Sequence, residues 1–198
     1  GQICTAMSRL VVHKSVKDEL LVKLVDLSKS LKVGPGYEEG SELTPVISQN
    51  QLDKVEGYAR SGIQAGAEAV HGGKRVDREG YFMEATVLDK VTQDMTVARE
   101  EIFGPVLSVL EYEEPEEAIH IANDTDYGLG AGVFTKDLDK ASWTASKLES
   151  GQVYVNKWFT GSHATPFGGY KQSGYSREKG QQALNAYLQI KNVGISLS

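Results

Sequence analysis

One cysteine occurs in the 198 residues, Cys4, in the run Gly1-Gln2-Ile3-Cys4-Thr5-Ala6. A lone thiol forms no internal disulfide, so it either packs in a core or reacts. As a nucleophile it works as the thiolate, which calls for a lowered pKa or a nearby base and for donors to an oxyanion. Its neighbours Gln2, Thr5, Ala6 and Ser8 are small or polar and would admit a substrate. A second constellation lies in Arg99-Glu100-Glu101-Ile102-Phe103-Gly104-Pro105-Val106. In an extended chain, Glu101 and Phe103 would fall on the same side. Such a pair can hold two ribose hydroxyls and stack on a flat ring. It reads equally as a solvated acid and a core phenylalanine at a strand entry. His13, His71, His120 and His163 are dispersed, with no short-spaced partner to make a metal site. A Cys-His hydrolase pairing Cys4 with His163 is a further alternative. Two glycine clusters are not nucleotide sites. Gly128-Leu129-Gly130-Ala131-Gly132-Val133 lacks the third glycine of a dinucleotide fingerprint, and Pro166-Phe167-Gly168-Gly169-Tyr170-Lys171 lacks P-loop spacing.

Short apolar runs alternate with helical patterns, which predicts an α/β fold: a central, largely parallel twisted sheet flanked by helices. Strands are expected at Leu10–His13, Ala69–His71, Tyr81–Leu88, Val106–Tyr112, Ala131–Thr135 and Val153–Val155, with Val106–Tyr112 central because it is almost continuously apolar. A helix starts at Ser15, with Asp18 completing a capping-box-like pattern, and carries Leu20, Leu24, Leu27 and Leu31. Further helices are expected from Ser48, with Leu52, Val55, Ala59 and Ile63 on one face, and at Pro115–Asn123, Leu138–Leu148 and Glu178–Ala186. The glycine- and aromatic-rich stretch 156–177 reads either as the wall of a small-molecule pocket or as a surface crossover. Leu188–Leu197 reads as an extended apolar tail.

The composition is that of a globular chain, 40% hydrophobic and 24% charged, read as one compact domain. A net charge of -6 argues against nucleic-acid binding, and no apolar run is long enough to span a bilayer. One cysteine without a disulfide framework suits a reducing, cytoplasmic setting. The chain opens on Gly1 within a coherent motif, which implies a segment of a longer polypeptide.

Together these motifs resemble the aldehyde dehydrogenase superfamily. Gly1-Gln2-Ile3-Cys4 is similar to its active-site cysteine motif, and Glu100 to Pro105 to its cofactor-contacting motif. Tyr127 to Thr135 and Pro166 to Gly174 resemble two further family stretches, in the family's order. The resemblance covers essentially the whole chain. It implies an NAD- or NADP-dependent oxidation of an aldehyde to an acid. Cys4 would pass through a thiohemiacetal and a thioester, with its backbone N–H as one oxyanion donor. Glu101 would hold the nicotinamide ribose, Phe103 would steady the ring, and Gln51 would approach the cofactor. Ile3, Thr5, Gly161 and Phe167 would line the substrate pocket, more open at Thr160-Gly161 where many relatives carry an aromatic. The resemblance assigns residues 1–186 to the catalytic domain and 187–198 to an oligomerisation strand of a dimer or tetramer. The general-base glutamate, the oxyanion-hole asparagine and the adenosine-binding domain are not in this sequence, so the isolated chain is expected to be nearly inactive. A non-catalytic assembly module is the alternative reading of a different class.

Overall fold

A computed structural model describes residues 1–198, which form two compact units, Gly1–Thr125 and Asp126–Ser198. The division differs from the single domain expected above. No linker-like change in composition marks Thr125-Asp126, so the boundary is set by packing alone.

In the first unit, β1 (Arg9–His13) runs directly into α1 (Lys14–Ser30). The cap is His13 and not Ser15. Its Nδ1 accepts from the Ser15 N–H at 3.1 Å, which satisfies a first-turn donor and puts the cap two positions earlier than the capping-box pattern suggests. α2 (Gln49–Gln64) does start on the expected cap, with the Ser48 hydroxyl accepting from the Gln51 N–H at 3.2 Å. Its buried stripe is Leu52, Val55, Ala59 and Gly62, whereas Ile63 is 43% exposed. Glycine at 62 suits the close packing there, since a methyl would come within 3.0–3.3 Å of Val97 and Leu88 side-chain carbons.

β2 (Glu68–His71), β3 (Thr86–Asp89), α3 (Thr96–Arg99), β4 (Val106–Tyr112) and α4 (Pro115–Asn123) complete the unit. The sheet order is β1-β4-β3-β2, with β1, β4 and β3 parallel and β2 antiparallel at one edge. This is the largely parallel sheet expected, with β4 internal. Alternating residues of β3 and β4 feed two cores. Leu88 and Leu110 pack with Leu52, Val55, Val97 and Ile121, while Val87 and Val109 pack with Val12, Leu20 and Leu21. Burial on both faces explains the nearly unbroken apolar run of β4. The expected strand at Tyr81–Leu88 shrinks to Thr86–Asp89. Residues 81–84 are tied irregularly instead, with Tyr81 O accepting from Val46 N–H, Phe82 O from Val76 N–H, and Glu84 N–H donating to Lys74 O.

At the carboxyl ends of β3 and β4, Lys17 Nζ lies 2.9 Å from Glu111 and 3.5 Å from the buried Asp89. The hydrogen bond to Glu111, reinforced by the Asp89 charge, raises the Lys17 pKa above its ordinary value of 10.5. A raised folded-state value means that stability is fully present below the ordinary value and is lost as pH climbs through the raised one. Lys17→Met should therefore flatten the alkaline limb of a stability–pH curve above about pH 10. Chemical denaturation at graded pH checks this, and an unchanged limb would count against the ion pair.

The second unit contains β5 (Tyr127–Gly128), β6 (Gly130–Val133), α5 (Leu138–Lys147), β7 (Gln152–Val155) and β8 (Tyr170–Lys171). β6 and β7 are parallel around α5, whereas β5 and β8 are antiparallel. The Asp137 carboxylate caps α5, accepting from the Asp139 and Lys140 N–H groups at 3.0 Å each. The glycine clusters serve close packing here. Gly151 N–H donates to Gly128 O at 3.0 Å, and a methyl on Gly151 would overlap the Gly168 carbonyl. Gly151→Ala should cost about 1–3 kcal/mol through this backbone collision, read as a lowered denaturation midpoint. The expected helix over Glu178–Ala186 is a 3₁₀ segment, Gln181–Tyr187, with no buried residue to hold an α-helical face. Residues 188–198 are exposed and pair with no strand of this chain. No helix is long and apolar enough to cross a membrane.

Candidate functional site

Parallel pairing brings the two motifs of the first unit together. Arg9 of β1 stands opposite Ser108 of β4, so the residues preceding each strand emerge at the same, amino edge of the sheet. One is a turn, Ile3–Ala6, closed by Ala6 N–H donating to Ile3 O at 2.8 Å. The other is the loop Glu100–Pro105. They meet at Gly1, where a methyl would overlap the carbonyl of Gly104. Gly104 in turn lies against Val55, which is fully buried. Glycine at both positions is what lets turn, loop and helix stack this closely.

Cys4 is exposed on that turn, which removes the reading of a core thiol. Ile3 beside it is 68% exposed, Thr5 is buried, and Gln2 anchors the turn by accepting from the Ile47 N–H at 2.9 Å.

Helix α2 grips the neighbouring loop along one stripe. Gln51 Nε2 donates to Phe103 O at 2.8 Å and to Ile102 O at 3.2 Å. Lys54 Nζ donates to Glu101 O at 3.2 Å, and the Tyr58 hydroxyl donates to Glu100 Oε2 at 2.6 Å. The amide hydrogens of Gln51, expected to approach a cofactor, are thus occupied by the loop itself. Ile102 pins the centre of the loop with 1% exposure. Phe103 is half-buried and has a φ of +56°, so the loop bends there and is not extended as the Glu101-x-Phe103 spacing assumed. Glu101 is exposed, and its carboxylate enters no salt bridge. The loop consequently offers an uncommitted acceptor and a partly open ring on the sheet edge that also carries the thiol.

The second unit holds the glycine- and aromatic-rich stretch. Tyr154 packs against Trp158 and Phe159 with centroids 5.8 and 6.1 Å apart, and Phe159 meets Phe167 edge-on at 6.5 Å. Gly161 is exposed next to the Tyr154 hydroxyl, and Phe167 is half-buried with its backbone paired to Glu178 in both directions at 2.7 Å. Ile3 and Thr5 belong to the first unit, and Gly161 and Phe167 to the second. Cys4 and His163 are divided in the same way, with His163 exposed. A hollow of about 480 Å³ in the second unit is lined by Glu149, Tyr170, Lys171 and Arg177 among others, and one of about 400 Å³ in the first by Lys17, Asp89, Gln93 and Glu111 among others. None of the expected site residues lines either.

Sequence reasoning missed Lys54 and Tyr58, and read Gln2 only as a polar neighbour that would admit a substrate, not as the anchor of the turn. The first two were findable, because Gln51, Lys54 and Tyr58 recur at three and four residues on a helix and so share a face. Their remote backbone partners were not.

Comparison with known proteins follows the same outline. A model of the aldehyde dehydrogenase family matches residues 1–193. The mitochondrial aldehyde dehydrogenase of Leishmania tarentolae is 42% identical over 193 residues, covering 98% of this chain and 39% of that protein. A mutant aldehyde dehydrogenase from Bacillus cereus superposes with a TM-score of 0.96 at 41% identity, over 100% of this chain and 40% of that one. Betaine aldehyde dehydrogenase from Staphylococcus aureus, in complex with NAD+, gives 0.90 at 42% identity, over 94% and 38%. The chain spans about two fifths of the length of these relatives. Sequence and backbone agree along nearly all of its length, and on that ground the chain belongs to the aldehyde dehydrogenase family.

Proposed function

We propose that this chain is the catalytic-domain portion of an NAD(P)-dependent aldehyde dehydrogenase, with Cys4 as its nucleophile. The observation that carries the reading is the stacking of Gly1 on Gly104, which sets the exposed thiol turn against the Glu100–Pro105 loop on one sheet edge. Cys4 Sγ attacks the aldehyde carbon, and the carbonyl π electrons move to oxygen as the C–S bond forms. The Cys4 backbone N–H donates to that oxygen, which lowers the cost of the charge it gathers. Loss of hydride leaves a thioester, and water breaks the C–S bond to release the acid. Splitting the oxidation this way replaces one hard step with two easier ones.

Glu101 and Phe103 fit the nicotinamide half of the cofactor, as a free carboxylate for ribose hydroxyls beside a partly open ring. Bound there, NAD or NADP supplies the hydride acceptor. Gln51 supports that contact by fixing the loop's carbonyls. Ile3 gives the substrate an apolar neighbour, Thr5 backs the turn, and Gly161 and Phe167 carry a pocket role by resemblance alone. The general base, the second oxyanion donor and the adenosine site belong to sequence that the resemblance places before the cysteine. The apolar tail 188–198, exposed in one copy, suits strand pairing in a homodimer or tetramer. A reducing compartment such as the cytosol would keep Cys4 a free thiol.

Brief exposure to an activated ester, followed by proteolysis and mass spectrometry, should place the acyl group on the Cys4 peptide. Acylation of lysine or tyrosine alone would overturn the nucleophile assignment. With a panel of aldehydes and either cofactor, the chain by itself should form reduced cofactor far below ordinary enzymatic turnover of about 10 s⁻¹. Turnover at that level would refute its dependence on the missing groups.

A further inference from the structure

Glu100 and Glu101 are adjacent exposed acids on one loop, and a ribose could be met by either. The structure treats them differently. Glu100 accepts the Tyr58 hydroxyl at 2.6 Å, a charge-assisted bond that ties it to α2. Glu101 keeps a free carboxylate, while its backbone carbonyl is held by Lys54 one turn earlier on the same helix.

We propose that Tyr58 is a positioning residue that selects Glu101 over Glu100 as the ribose-binding carboxylate, by committing Glu100 to helix α2. This rests on the reading of Glu101 given above. Without the hydroxyl, Glu100 is released, the two like charges compete for the same face, and the upstream half of the loop keeps only the Lys54 bond to the Glu101 carbonyl. Val55 under Gly104 and Gln51 on Ile102 and Phe103 still hold its downstream half. The loop would therefore stay folded but present either acid.

The test uses nicotinamide mononucleotide as the probe, with its dissociation constant from the 198-residue chain measured by saturation-transfer NMR. Tyr58→Phe should weaken binding roughly tenfold, at the low end of what the loss of one hydrogen bond to a charged group gives. Glu101→Gln should abolish the signal. The double variant Tyr58→Phe/Glu101→Gln should recover part of it, because the freed Glu100 can take over. A merely structural role for Tyr58 predicts the reverse, a double variant no better than Glu101→Gln alone, and that result would overturn the proposal. Binding by Tyr58→Phe equal to wild type, with Glu101→Gln still dead, would also overturn it while leaving the Glu101 reading intact. Undiminished binding by Glu101→Gln would instead sink the Glu101 reading, and absence of wild-type binding at millimolar probe would overturn both for this chain.

Discussion

Cys4→Ala is expected to bring hydrolysis of an activated ester by the chain down to the background of its other nucleophiles, a loss on the order of 10²-fold or more. Thermal unfolding should not move by more than about 0.5 kcal/mol. The two halves of this result have separate causes. Kinetically, no other thiol exists to replace Sγ, and a methyl cannot form a C–S bond. Thermodynamically, an exposed thiol on a turn buries little area, so its removal leaves no cavity. The turn is held by groups the substitution spares, the Ala6–Ile3 backbone bond and the Gln2 amide on Ile47. Stopped-flow ester hydrolysis alongside differential scanning calorimetry gives both readings. Turnover that survived the substitution would assign the chemistry to another residue. A large fall in melting temperature would mean that the thiol had been a packing group.

Ile102→Ala should produce the opposite pattern, a folding defect that drags the site with it. Ile102 is 1% exposed and packs in the cluster that includes Val55, Val97 and Leu110. Truncating a buried isoleucine to alanine costs about 2–5 kcal/mol. Set against the roughly 5–15 kcal/mol that holds a typical domain together, this is a large share. Ile102→Val should cost only about 0.5–1.5 kcal/mol, which makes the pair a graded test of burial. Because Ile102 also supplies a carbonyl to Gln51 and sits between Glu101 and Phe103, acylation at Cys4 should slow in the same order. Urea denaturation followed by circular dichroism measures the stability change. A cost under 0.5 kcal/mol for Ile102→Ala would show that the loop is not anchored there.

Both sites of expected damage lie where local sequence signals were uneven. Ser48 was legible as a cap because a hydroxyl before an apolar stripe has a local donor to satisfy, and β4 was legible because burial on both faces forces a continuous apolar run. Tyr81–Leu88 looked equally strand-like, yet Phe82 and Met83 are buried by irregular backbone pairing. Apolar pattern reports burial and says little about which hydrogen bonds accompany it. The 3₁₀ segment at Gln181–Tyr187 was misjudged because a helical pattern without a buried face has nothing to enforce i→i+4 bonding. Cys4 and Glu101 stood out as candidates through their residue types. That the turn and the loop carrying them share one sheet edge was not legible, since it depends on β1 and β4 being neighbours, a pairing of segments far apart in sequence. The bend at Phe103 was hidden for a related reason. A positive φ at an aromatic is imposed by the surrounding loop, and only glycine or asparagine advertises such a conformation in advance.

The grip of α2 on the Glu100–Pro105 loop has a consequence for redesign. Apart from Tyr58, its polar ties end on main-chain carbonyls, those of Glu101, Ile102 and Phe103. Main-chain acceptors are present whatever side chain occupies the position. The socket is therefore indifferent to what is plugged into positions 101 and 103, so long as Phe103's successor tolerates a positive φ. Saturation libraries at these two sites would vary side-chain chemistry on a nearly constant scaffold, and variants lost from them would test the proposed recognition role more than folding.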